Sequence, residues 1–407
     1  DIIGITVMTP KTASAFTIAS LAKQYNKDCY VIVGGPHATL RSDEVLKNTR
    51  DVDFVVNGEG ESVLLELVNT LRAKNNDFSA IRGLSYRQGD THIHNPMRSF
   101  IDNLDGLPFP DRETLLGMDT YTSEDMGLLM GSRGCPYSCS YCATQIWARK
   151  VRYRSLSNIV EEIKYVHLRF GTRQFTFKDD SFTVNRRRVL EFCDNLLETG
   201  RKINWDCNTR VDLVDLELLK TMKKAGCNSI KVGIESGSER ILALMDKGIT
   251  LERIHEAARL FREAGIHWTA YFMMGIPTET EEDVKKTLDL LYKIRPSFAS
   301  IGVYEPFPGT KLFDIGIEHG LVKKEMAYED FFTHIPSDYY LKDIKRRVDT
   351  MGYEDFTTME NEAKGAFRDY NKGVMRILER AKARSNIYLH NPRIFFNDVE
   401  KFLGWLR

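Results

Sequence analysis

Apolar residues along this chain fall into two alternating patterns. Short unbroken apolar bursts, which suit strands covered on both faces, are separated by longer stretches with apolar positions at helical spacing. Ile2 to Val7 reads as a strand, Ala13 to Tyr25 as a helix, and Cys29 to Val33 as a second strand running into Gly34-Gly35-Pro36-His37. A short helix near Asp43 to Asn48 follows, then a third strand from Asp53 to Asn57, then a helix opened by Gly58-Glu-Gly-Glu61 and reaching Leu71. This βαβαβ order predicts a Rossmann-like, doubly wound parallel sheet. Ligands of such sheets lie beyond the carboxyl ends of the strands, here Thr9, Gly34-Gly35 and Gly58. Residues 83–94 read as a hairpin turning at Gln88-Gly89-Asp90, and Leu107-Pro-Phe-Pro-Asp111 as part of a linker.

From Gly127 the units lengthen. Strands are expected at 127–132, 173–178, 204–209, 228–235, 267–275 and 299–305, with helices near 157–169, 186–199, 213–225, 239–264 and 279–293 and another after Gly309. Six β/α units predict a partial (β/α)6 barrel with its chemistry at the C-terminal strand ends. The expected division is 1–105 for the first unit, 106–126 for the linker, 127–320 for the barrel and 321–407 for a helical C-terminal region. An aromatic, amphipathic tail from Phe395 to Leu406 reads as a packed helix.

Composition narrows the function classes. With 57 basic and 57 acidic residues the net charge is zero, which gives no electrostatic case for nucleic acid. No apolar run reaches the ~18 residues of a transmembrane helix. Seven cysteines without a paired framework, and no signal peptide, suit a reducing, cytoplasmic setting. The chain begins at Asp1, inside a strand already under way, so the natural N-terminus is expected upstream.

The candidate chemistry is concentrated in Gly134-Cys-Pro-Tyr-Ser-Cys-Ser-Tyr-Cys142, a C-x3-C-x2-C triplet on one loop directly after the first barrel strand. Three thiolates at this spacing can converge on one inorganic centre. A closed structural zinc site wants a fourth Cys or His, and the next His, His167, lies on a predicted helix. Cys135, Cys139 and Cys142 therefore point to a [4Fe–4S] cluster with one iron open to an exogenous ligand. With Tyr141 and the Arg133-Gly134 lead-in, the loop resembles the signature of the radical S-adenosylmethionine (SAM) superfamily, in which SAM chelates that iron through its amino and carboxylate groups.

The strand ends carry groups suited to a zwitterionic sulfonium with a ribose and an adenine. They are Asp179 in Phe175-Thr-Phe-Lys-Asp179-Asp180, Arg210 in Asn208-Thr-Arg210, Glu235 and Ser236 in Gly233-Ile-Glu-Ser-Gly237, and Gly275 and Pro277 in Met273-Met-Gly-Ile-Pro277. Each has a plainer reading: Asp179-Asp180 as a helix cap, Arg210 as the partner of Asp212, Ser236 as an N-cap. Together these motifs resemble the cobalamin-associated branch of the superfamily over roughly 127–310. The first unit is similar to the second half of that branch's cobalamin-binding domain, in which a polar strand-end residue (Thr9 here) and a Gly-Gly (Gly34-Gly35) cradle the nucleotide tail. The branch's Asp-x-His-x-x-Gly motif would precede Asp1. Asp90-Thr-His92-Ile-His94-Asn95 lacks the glycine, sits on the predicted hairpin, and is rejected as its substitute.

The resemblance implies reductive cleavage of SAM to a 5′-deoxyadenosyl radical, and transfer of a cobalamin-borne methyl group to an unactivated carbon. It implies a low-potential donor such as flavodoxin or ferredoxin, and a small-molecule, lipid or tetrapyrrole substrate. The alternative within the branch is a non-methylating cyclase of the anaerobic magnesium-protoporphyrin ester type. A non-catalytic cobalamin or iron–sulfur sensor is a third reading.

Overall fold

A computed structural model describes residues 1–390 together with 395, 396, 399 and 400. The first unit comprises β1 (Ile2–Thr6), α1 (Thr12–Tyr25), β2 (Tyr30–Gly34), α2 (Pro36–Leu40), α3 (Ser42–Asn48), β3 (Phe54–Val56), α4 (Gly60–Arg72), β4 (Leu84–Gln88) and β5 (Thr91–His94). The sheet order is β1-β2-β3-β4-β5, parallel through β3 and antiparallel across the β4–β5 hairpin. His92 and His94 stand on that hairpin, where His92 Nδ1 pairs with Asp43 at 2.7 Å, far in sequence logic from any strand-to-helix junction.

The second unit runs β6 (Leu128–Leu129), β7 (Ser132–Arg133), β8 (Arg152–Tyr153), α5 (Leu156–Phe170), β9 (Gln174–Phe177), α6 (Arg186–Glu198), β10 (Asn204–Thr209), α7 (Leu216–Lys224), β11 (Cys227–Glu235), α8 (Glu239–Leu244), α9 (Leu251–Ala264), β12 (His267–Met274), α10 (Glu281–Ile294), β13 (Phe298–Val303) and α11 (Lys311–Glu318). Its six-stranded parallel sheet has the order β13-β12-β11-β10-β9-β6. Phe175, Phe177, Trp205, Cys207, Ile230, Val232, Trp268 and Ala270 alternate outward against the helices and form the largest core. Two expectations change. The strand expected over 127–132 is split, with Ser132–Arg133 pairing to Arg152–Tyr153 in a separate ribbon. The helix expected over 239–264 is broken between α8 and α9, where Asp246 (φ 49°) and Gly248 (φ 67°) turn left-handed.

α12 (Asp330–Thr333), α13 (Tyr353–Lys372) and α14 (Val374–His390) make the C-terminal region helical. The segment leading into it returns to the first unit. Phe313, Leu321, Met326, Phe331 and Tyr340 share one core with Phe16, Val33, Val45 and Leu46. Tyr340 donates its hydroxyl hydrogen to Glu44, and Glu44 also accepts from the Met326 amide at 3.1 Å. α11 bridges the two units: Leu312 packs beside Ile241 and Ile276, while its neighbour Phe313 joins the first unit's core. Among the described residues no helix is long and apolar enough to cross a membrane. Most of the 395–406 tail lies outside the described residues.

Candidate active site

The cysteine loop is built by backbone constraints on both sides. Gly134 takes φ 95°, and a Cβ there would come within 2.2 Å of the Lys150 carbonyl oxygen, so no larger residue fits this entry. Asp179, 3% exposed, accepts from the Gly131 amide at 2.8 Å and from the Ser132 hydroxyl, fixing the approach to the loop. At the loop's centre Ser140 donates its amide to Met245 O (2.8 Å) and its hydroxyl to Leu244 O (2.7 Å), and its carbonyl accepts from Leu312 N (2.7 Å). Cys135, Cys139 and Cys142 are half-buried free thiols on this pinned loop. Burial pushes the Cys135 and Cys142 thiols above their ordinary range, so taking up a metal centre there releases protons. Among the described residues no three His, Cys, Asp or Glu side chains crowd one point as the ligands of a single ion do. A donor set of three thiols strung along a loop suits a several-iron centre in which each iron takes one thiolate.

Next to the thiols lies a buried triad. Glu235 (φ 67°) ends β11, and its Oε1 accepts from Tyr141 Oη and from Lys247 Nζ, both at 2.9 Å; Lys247 Nζ also reaches Tyr141 Oη at 3.0 Å. Burial, then the Glu235 charge, holds the Tyr141 phenol well above its usual range, so it stays protonated. Arg210 is chelated by Asp212 (2.9 and 3.1 Å) and donates to Lys247 O at 2.6 Å. Its Nη1 stands 3.7 Å from Cys139 Sγ, and its guanidinium carbon 3.7 Å from the Tyr137 ring centroid. A carboxylate, an ammonium and a phenol are thus held dry beside the cysteines, the groups a zwitterion's charged ends require. Lys247→Met is expected to destabilise the protein by about 3–5 kcal/mol, because it strands Glu235 in a buried site. Pairing it with Glu235→Gln should recover most of that loss; an additive double variant in chemical denaturation would contradict the pairing.

A cleft of about 660 Å³ separates this loop from the first unit. Thr6, Gly34, Gly35 and Gly58 line one side and Ser132, Gly134, Trp147 and Asp180 the other. A Cβ on Gly4 would meet nothing within 4 Å, and one on Gly34 only Val56, so backbone is left bare over the strand ends. That glycine cradle is the shape a large flat ligand needs, and it fits cobalamin. Glu59 ties the two walls together. It accepts from Arg133 Nη1 (2.7 Å), Arg152 Nη1 (2.8 and 2.9 Å) and the Ile101 amide (2.7 Å). Burial alone would raise the Glu59 pKa, but the Arg152 and Arg133 guanidiniums outweigh it and hold it below its usual value.

The structure therefore gathers Cys135, Cys139, Cys142, Tyr141, Arg210 and Glu235 around one loop, and Gly34, Gly35 and Gly58 on the facing wall. Other expected residues sit elsewhere. Thr9 is carried past the end of β1 and meets His37 Nδ1 at 3.2 Å; Thr6 takes the cleft position. Asp179 is spent on the loop entry, and it is Asp180 that faces the cleft. Neither caps α6, whose N-cap is Asn185. Ser236 is fully buried, 3.2 Å from Thr287 Oγ1 and accepting from the amide of Ser238, which holds the N-cap position of α8. Gly275 (φ 78°) faces Val303 and Phe356, and Pro277 is buried in the same turn.

That turn is held by Glu279, which accepts from the Gly275 amide at 2.5 Å and is 1% exposed with Oε1 unpartnered. Burial raises its pKa to about 8, against the pull of the two backbone amides. The folded chain then keeps a proton the unfolded chain releases, so this group's contribution to stability is full below the ordinary carboxylate range and falls as pH rises towards 8. Glu279→Gln is expected to change Tm little near about pH 5 and to raise it by ~3 °C or more near about pH 8. Thermal unfolding across that window checks it, and a constant difference would contradict the assignment.

Comparison with known proteins gives consistent relatives. Residues 129–291 match the family model described as the radical SAM superfamily, and residues 1–68 that of the B12 binding domain. The chain is similar to an uncharacterized methyltransferase of Pyrococcus horikoshii, at 34% identity over 79% of this chain and 70% of that one. It is also similar to an anaerobic magnesium-protoporphyrin IX monomethyl ester cyclase of Cereibacter sphaeroides, at 32% identity over 77% of this chain and 52% of that one. It thus spans about half the length of that cyclase. In fold it resembles the methyltransferase TsrM of Kitasatospora setae, solved with cobalamin and a [4Fe–4S] cluster bound: TM-score 0.67 and 18% identity, covering 79% of this chain and 65% of that one.

Proposed function

The chain belongs to the radical SAM superfamily, in its B12-binding branch, and on that footing we propose that it is a cobalamin-dependent methyltransferase acting on an unactivated carbon of a small molecule. The observation that carries this reading is one continuous cleft with bare strand-end glycines on one wall and the approach to the cysteine loop on the other. Cys135, Cys139 and Cys142 would hold the [4Fe–4S] cluster, the Glu235–Lys247–Tyr141 group and Arg210 would surround SAM, and Gly34, Gly35 and Gly58 would seat cobalamin. Those groups, when bound, supply the one-electron cleavage and the methyl carrier.

The chain's own residues position and exclude. Glu235 and Lys247 offer opposite charges to the two ends of an amino acid, while Arg210 keeps a positive charge near Cys139. The Ser140 hydrogen bonds prevent the loop from drifting, and Glu59 with Arg133 and Arg152 holds the facing wall at a fixed distance. A low-potential flavodoxin or ferredoxin is the proposed electron source, and the reducing cytoplasm the proposed setting, in keeping with seven free cysteines. The cyclase relatives, at 30–32% identity, favour ring closure without methylation as the second reading.

The full-length gene product, reconstituted anaerobically with iron, sulfide and cobalamin, should be incubated with methyl-deuterated SAM, reductant and an extract of the source cells. A product retaining the intact labelled methyl, with stoichiometric 5′-deoxyadenosine, is expected. Extract-dependent 5′-deoxyadenosine without labelled product would overturn methylation in favour of the second reading.

A further inference from the structure

A second chamber, of about 380 Å³, lies along the edge of the barrel sheet under the 104–110 segment. Its volume is within the range of ligand pockets rather than packing defects. Leu104, Leu107, Pro108, Phe109, Leu128 and Met130 give it an apolar wall. Leu128 is 52% exposed and Met130 44%, although both stand on or beside a strand of the main sheet. Scattered exposed apolar residues need no explanation, but two neighbours left bare inside a concavity do.

The charges at the rim decide what would enter. Arg154 pairs with Glu162 at 2.6 Å, Glu162 also with Arg112 at 2.7 Å, and Arg133 with Glu59 and Glu61. Among the described residues lining the chamber, Lys178 is the cation without an ion-pair partner. Lys178, Met130, Arg133 and Glu61 also line the larger cleft, so the two spaces meet at that lysine. Gly134, the residue that leads into Cys135, also lines the larger cleft, so the junction opens onto the entry of the cysteine loop.

The geometry points to an amphipathic organic anion as the substrate class. Its apolar body, whether alkyl, isoprenoid or ring, lies in the chamber against Leu128 and Met130, and its carboxylate or phosphate meets Lys178 at the mouth. The inference rests on the reading that the adjoining cleft is the reaction site, but binding can be measured without turnover.

Decanoate, decyl phosphate and decanol titrated calorimetrically into the full-length, cobalamin-loaded protein provide the test, with the two anions separating a carboxylate from a phosphate preference. Saturable binding of at least one anion is expected. Leu128→Arg should weaken it about tenfold or more, and Lys178→Gln about tenfold for the anions while leaving decanol unchanged. Met130→Gln, a neutral change at a half-exposed position, keeps the test decisive if Leu128→Arg fails to fold. Absence of saturable binding, indifference to Leu128 and Met130, or an equal effect of Lys178→Gln on decanol would overturn the inference. So would binding seen only without cobalamin, which would give the chamber to that cofactor. If the ligands bind as expected but no labelled methyl product forms, the methyltransferase reading fails and the substrate class stands.

Discussion

Cys139→Ser is expected to abolish the iron–sulfur centre and with it SAM cleavage. Removing even the outer partners of metal ligands costs about 10–100-fold, so loss of a ligand should exceed about a hundredfold. The loop itself should survive, since its shape is set by the Ser140 hydrogen bonds and by Gly134 rather than by the Cys139 side chain. Iron and sulfide content, visible absorption and 5′-deoxyadenosine yield should therefore collapse together while thermal stability of the metal-free protein changes little. A variant retaining both cluster content and SAM cleavage would refute the ligand assignment, and with it the argument for a radical enzyme over a sensor.

The paired glycines should separate into two phenotypes. Gly35 sits at φ 96°, and a Cβ there would lie 2.8 Å from Thr6 Oγ1 and 3.0 Å from the Val7 backbone, so Gly35→Ala should destabilise folding by about 1–3 kcal/mol. Gly34 has room, with Val56 at ordinary contact distance, so Gly34→Leu should fold yet fill the cleft and weaken cobalamin binding at least about tenfold. Denaturation and cobalamin titration on the same two proteins make the comparison. Equal cobalamin affinity in Gly34→Leu and the wild type would remove the cofactor from this wall.

The parts of the fold legible in sequence were those with a simple period. Strands buried on both faces and amphipathic helices announce themselves through their neighbours in the chain, and the cysteine triplet through its spacing. Lys247 escapes a sequence reading because the run from 239 to 264 keeps helical spacing across a break; Gly248 is the available signal, since glycine commonly ends helices. Asp179 and Asp180 are adjacent carboxylates, a one-residue shift swaps faces of a strand end, and only the pairing of Gly131 with Asp179 reveals which one faces inward. Thr9 reads as the polar strand-end residue because no glycine marks the end of β1, which the structure places at Thr6. The Glu59–Arg133–Arg152 link joins residues distant in the chain, and a single sequence carries no trace of such a pairing. The same holds for the return of residues 313–340 to the first core.

That return has a temporal side. Tyr340 and Glu44 are 296 residues apart, and the first unit's core is open on one flank until the segment ending near Tyr340 has left the ribosome. Contacts so remote in sequence close last. The β1–β5 sheet is thus synthesised ahead of the barrel and completed after it, and the loop carrying Cys139 waits for the same event, because the Leu312 amide that steadies Ser140 arrives with it. Stalled nascent chains in which residue 310 has just emerged should be cleaved readily by protease within α1–α3, and chains in which residue 345 has emerged should resist; equal cleavage of both would show that the early sheet closes unaided. Iron delivery, on this timetable, follows the emergence of residues 312–340.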